Sequence, residues 1–170
     1  MEVAIIPKDE KITVLPEYSY LGDLETHDGR SFESLRGVNT TIGGLALMAT
    51  AEEQLLGLKM DLVRYIAHTT VHEFAHGIQN LCFTAEDHSE WNAFYDSALQ
   101  DNLYPETYLM SNTREFFAVF STAYFEVYSW DSLSNSRDQI EDDHPAIFEF
   151  LDEVYGGAEL SPESKRLTPQ

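Results

Sequence analysis

The chain has 170 residues, enough for one domain with a substantial core, and 43% of them are hydrophobic, as in an ordinary globular protein. Its formal net charge of −20 repels phosphate backbones and argues against nucleic-acid binding, and no apolar run approaches the length of a membrane helix. The single cysteine excludes an internal disulfide.

Residues 2–6 and 11–15 read as short strands around a Pro-Lys-Asp-Glu turn, and the N-terminus lacks the basic start and long apolar stretch of a signal peptide. Residues 44–50 read as a strand bordering a cleft. Helices are expected at 61–81, 89–100, 114–130 and 145–155, the last stopped by Gly156-Gly157. Asp138 to Asp143 lacks the glycine and the spacing of a calcium loop and reads as a solvated loop. These elements predict an α+β fold, a small mixed sheet packed on a mainly helical bundle. One domain spans 1–157, and 158–170 form a flexible tail.

The helix expected at 61–81 carries the chemistry. Asp61 suits its N-cap, and Gly77 is its first glycine. Leu62, Ile66, Thr69/Thr70, Phe74 and Ile78 make an apolar-leaning stripe, while His68, His72 and His76 make another. His72-Glu73-Phe74-Ala75-His76 is an H-E-x-x-H run. Four residues apart on a helix, His72 and His76 can offer ring nitrogens to one metal, and Glu73 can act as base on the attacking water. The bland alternative is a core helix with two satisfied histidines. His68, about 6 Å further along the axis, reads as a cleft-lining residue.

Catalytic zinc takes three protein ligands. The third-histidine pattern fails here, because Gln79 and Cys82 stand where it needs glycine and histidine. Cys82 remains a thiolate alternative, although a lone cysteine is most often a small buried hydrophobe. Glu115 is the stronger candidate. It lies in the first turn of an apolar helix capped by Asn112, and a carboxylate buried there needs a partner. The helix dipole alone would also favour a glutamate at that position.

His72/Glu73/His76, Tyr108 and the run Glu115-Phe116-Phe117-Ala118, which begins seven residues after Tyr108, together resemble the gluzincin-type zinc peptidases that include anthrax lethal factor and the Pro-Pro endopeptidases. The Gly-rich segment around Arg36-Gly37 and Gly43-Gly44, and the closing Pro145 to Leu151, are similar more weakly. The resemblance implies a compact zincin-like domain holding one zinc ion through His72, His76 and Glu115. It implies Glu73 as general base and Tyr108 as oxyanion donor, and it favours an extracellular location. Where the family often has a second glutamate supporting a histidine ligand, this chain has Val119.

The expectation is therefore a zinc metalloendopeptidase acting on peptide or protein substrates, without nucleic-acid or membrane partners. The acidic surface would steer basic or neutral peptides, or merely keep the protein soluble. The substrate is expected to lie along Gly44, Leu45, Ala46 and Leu47 as an added strand. The competing expectation is a catalytically weak or inactive zinc-containing interaction domain, against which Glu73 and Tyr108 argue, since structural zinc needs neither.

Overall fold

Strand β1 (Glu2–Ile6) opens the computed structural model, which describes residues 1–26, 29–42, 45–56, 58, 67–127 and 136–165. Strands β2 (Gly37–Ile42) and β3 (Leu45–Ala51) complete a three-stranded sheet of order β1-β3-β2. β1 runs parallel and β2 antiparallel to β3. The most apolar strand takes the centre, with Ala46 to Ala51 buried. The expected substrate strand is therefore the middle strand: β2 pairs with Leu45 to Thr50 and β1 with Leu47 to Ala51, so Leu47 is paired on both sides, Leu45 and Ala46 pair with β2, and Gly44 lies outside the described residues.

The strand expected at 11–15 is instead a 3-10 turn at Ile12–Val14, followed by another at Pro16–Leu21. Of the first turn only Ile12 is buried, and Pro16 has no N–H to give a ladder. These turns cover one face of the sheet, where Ile6, Ile12, Tyr18, Leu21, Leu47 and Ala49 form a small core. Arg36 fastens this region. Its guanidinium grips Glu53 at 2.6 and 2.7 Å and reaches the carbonyl oxygens of Glu10 and Pro7.

After the short α1 (Glu52–Leu55) come α2 (His68–Leu81), α3 (Ala85–Gln100), α4 (Thr113–Tyr124), α5 (Arg137–Asp143) and α6 (Pro145–Tyr155). The expected cap Asp61 and the stripe residues Leu62 and Ile66 fall outside the described residues. Within α2 the buried face carries Val71 and Ala75, whereas Phe74, assigned to the apolar stripe, is 40% exposed. α3 starts earlier than expected because Thr84 and Asp87 form a capping box.

α4 closes before the expected 130. Glu126 adopts φ +59°, and the amides of Glu126 and Val127 return to the carbonyls of Ala123 and Thr122, a Schellman closure. The acidic segment expected as a loop is helix α5, capped by Ser136. α6 ends as expected, on Gly156 in the left-handed region. The described part of the expected tail is fastened: Arg137 binds the Ala158 carbonyl, and Lys165 pairs with Glu126. Among the described residues no helix is long and apolar enough to cross a membrane.

The main core lies among the helices. Trp91, Phe116, Phe117, Phe120 and Phe150 pack with ring centroids 4.8–6.3 Å apart, mostly edge to face. α2 is sandwiched between this core and the sheet. Thr50 and Thr70 hydroxyls meet at 2.8 Å, and Gln54 donates to Thr69 at 2.6 Å.

A candidate metal centre

α2 runs along a cleft of about 890 Å³, lined by Gly37–Asn39 of β2 on one side and by Tyr108, Asn112, Arg114 and Glu115 on the other. Helical spacing places His72 and His76 on the cleft face, with ring centroids 4.8 Å apart. Glu115 arrives from the opposite wall. Asn112 caps α4 by accepting from the Arg114 and Glu115 amides, each at 3.0 Å, and the Trp91 indole binds the Thr113 carbonyl.

These two helices bring three donor atoms together. His72 Nε2 lies 3.2 Å from His76 Nε2 and 3.1 Å from Glu115 Oε2, and His76 Nε2 is 3.6 Å from that oxygen. Ligands about 2.0–2.1 Å from a tetrahedral ion stand about 3.3 Å from one another, so the triangle has the dimensions of a metal cage. The side chains are only 8–12% exposed. Glu115 Oε2 is buried and meets no hydrogen bond of normal geometry, despite the nearby imidazole. An orphaned carboxylate oxygen facing two ring nitrogens is what a cation would satisfy. His72, His76 and Glu115 thus form a group that could hold a metal ion.

Cys82 takes no part. It caps the C-terminal end of α2 and is exposed, against the expectation of a buried thiol. His68 stacks one turn before His72, with centroids 6.3 Å apart, and lines the cleft as expected. Burial, with the neighbouring His72, pushes its pKa down to about 3, so it stays neutral.

Burial also works to raise the Glu115 carboxyl, but the two imidazoles outweigh it and hold the group well below the usual carboxylate range. Glu73, next to His72 in the chain, behaves oppositely: burial pushes its carboxyl up to about 7, with the Glu115 charge adding to the rise. His72, Arg114 and the Asn39 backbone amide, which hydrogen-bonds the carboxylate, restrain it. The acidities of two glutamates in one cleft are therefore driven apart.

Tyr108 opens a 3-10 turn, Tyr108–Ser111, and its ring centroid lies 6.2 Å from that of His72. Burial and the Glu115 carboxylate push its phenol upward, so it remains a donor. Tyr104 turns away, placing its hydroxyl 2.5 Å from His144 Nε2. Val119 is buried in the aromatic core. His76 Nδ1 is buried and meets no hydrogen-bond partner among the described residues, so no side chain there supports that nitrogen directly.

Compared with known proteins, the chain matches no family model, no curated protein and no solved structure.

Several contributors escaped the sequence reading. Asn39 links β2 to α2 twice, through its backbone amide to Glu73 and through its side-chain oxygen, which accepts from Asn80 at 3.0 Å. Gly37 allows that approach: a Cβ there would lie 2.3 Å from Thr69 Cγ2 and 3.0 Å from Glu73 Cγ. A glycine opening a strand before a metal motif was the available signal. Arg30 and Arg114 also line the cleft, and nothing in their local sequence marks them.

Proposed function

We propose that this chain is a zinc-dependent endopeptidase. The observation that carries the reading is the triangle of two imidazole nitrogens and one carboxylate oxygen, with a second, protonatable glutamate beside it in an open cleft. His72, His76 and Glu115 would hold the ion. Zinc bound there would polarise the scissile carbonyl and bring the pKa of water towards ~7. Glu73 then accepts the proton of the attacking water and returns it to the leaving amine, a task suited to a carboxyl tuned to about 7. Tyr108 donates to the oxyanion that develops on the carbonyl.

The peptide would lie along the outer edge of β2. Among the described residues β2 pairs with β3 alone, and its residues Gly37 to Asn39 line the cleft, so its outer edge is placed to receive an extended chain there.

Metal analysis combined with a peptide-library digest tests the proposal. The purified protein is expected to carry one zinc per chain, to lose it to chelators, and to cut peptides internally. Glu73→Gln should retain zinc and lose turnover, because the amide matches the carboxylate in size but accepts no proton. Zinc without cleavage, in wild type as in the variant, would favour a binding domain that does not cut. Undiminished cleavage by Glu73→Gln would remove that residue from the chemistry.

A further inference from the structure

α2 buries a glutamine outside the donor triangle. Gln79 is 3% exposed, and its carboxamide oxygen is buried and meets no hydrogen-bond partner among the described residues. It lies one turn beyond His76, on the helix that carries both histidines. A buried polar oxygen without a donor is costly, and native proteins keep few of them. His76 presents the complementary orphan. Its Nε2 faces the triangle, 3.2 Å from His72 Nε2 and 3.6 Å from Glu115 Oε2, while its Nδ1 is buried and without a partner among the described residues.

A metal on Nε2 decides what Nδ1 carries. Neutral imidazole has one N–H, so an ion that takes Nε2 leaves the hydrogen on Nδ1. That hydrogen then needs an acceptor in a place closed to solvent. Residues three apart on a helix have Cβ atoms about 5–6 Å apart, and their side chains lean towards its N-terminal end. The Gln79 side chain therefore extends over the turn that holds His76, with an oxygen in need of a donor. Asn80, the next residue, is exposed and gives its amide to Asn39 instead.

Resting on the zinc part of the proposed function, we propose that Gln79 is the positioning residue for His76: its carboxamide oxygen accepts the Nδ1 hydrogen, directly or through one buried water, and fixes the ring with Nε2 towards the ion. Such a bond sets the tautomer and raises the basicity of the ligating nitrogen. It also gives a reason for a polar side chain at a buried position, where packing alone favours an apolar one. One bond satisfies both orphaned atoms.

Chelator competition on wild type, Gln79→Leu and Gln79→Glu tests this without reading cleavage, with thermal unfolding of each metal-free protein as the measure of packing. Leucine keeps an apolar side chain at the buried position and removes the acceptor. Gln79→Leu is expected to weaken zinc binding about ten- to hundredfold. The metal-free Tm should hold or rise, because a buried oxygen without a donor has been removed. That opposite movement is what a merely structural glutamine would not produce. Gln79→Glu keeps an acceptor oxygen and should retain zinc. In proton–nitrogen spectra of the zinc-loaded wild type, the His76 Nδ1 proton should be protected from exchange, and Gln79→Leu should lose that protection. Zinc affinity unchanged in Gln79→Leu, or falling only in step with metal-free stability, overturns the role. Should Gln79→Leu fail to fold, an unprotected Nδ1 proton in the wild type overturns it, as does loss of zinc from a folded Gln79→Glu. A wild type that binds no zinc overturns the zinc reading and this role together, whereas zinc binding without cleavage overturns the peptidase reading alone.

Discussion

The wall of the cleft that supplies Glu115 rests on interlocked aromatic rings, whereas the wall that holds Glu73 rests on a glycine and a backbone amide. On the helical side, Trp91 both packs against Phe116 and Phe117 and binds the carbonyl of Thr113, so the first turn of α4 is held by a buried core. On the sheet side, the core beneath β2 and β3 is small, and β2 touches α2 closely only because Gly37 has no side chain. The donor triangle thus depends on packing, and the placement of Glu73 depends on backbone proximity. Disturbing one wall should separate metal binding from turnover.

The largest effect tests the helical wall. Glu115→Ala should weaken zinc binding by orders of magnitude, measured by competition with a chelator, while Cys82→Ser leaves it unchanged. The opposite result would move the third ligand to the thiol. Next comes Tyr108 of that wall, with Tyr104 as its control. Tyr108→Phe should lower kcat a few hundred-fold, corresponding to roughly 3–4 kcal/mol of lost transition-state stabilisation, with zinc content and KM little changed. Tyr104→Phe should be mild in the same assay, since its hydroxyl is engaged with His144.

The sheet wall is tested by Gly37→Val. A branched side chain would collide with Thr69 and Glu73, at a cost of about 1–3 kcal/mol in thermal or urea unfolding. Cleavage should fall while zinc is retained, because none of the three ligands belongs to β2. Zinc loss in parallel with cleavage would show that the two walls are not independent.

The smallest effect concerns pH. Burial holds the His144 imidazole below its ordinary pKa, so the folded state binds a proton less readily than the unfolded chain. Its contribution to stability is present above the unfolded value of about 6.5 and is lost as pH falls through the depressed folded value. Urea midpoints between neutral and mildly acidic pH should decline less in His144→Gln than in wild type. An identical decline in both would assign the acid sensitivity elsewhere.

Much of the helical side was legible from local signals. The period of α2 set His72 and His76 on one face, Asn112 marked the start of α4, and Gly156 marked the end of α6. Each of these depends on residues within a turn or two along the chain. The close of α4 was harder to read, because Glu126 takes a left-handed conformation without being glycine or asparagine. Residues 11–15 misled for a related reason: their apolar alternation suits a strand, but among the described residues no strand pairs with them, and Pro16 ends any ladder.

The sequence by itself determined that two histidines and a glutamate share one helix segment, since helical spacing is a property of neighbouring residues. Only the tertiary structure decided that Glu115 closes the triangle, that β3 is central with β2 at an edge of the described sheet, and that Arg30 and Arg114 line the cleft of an acidic protein. Strand order and cleft charge arise from segments far apart in the chain. Their pairing is settled by which faces can be buried together, and no local pattern of residues encodes that choice.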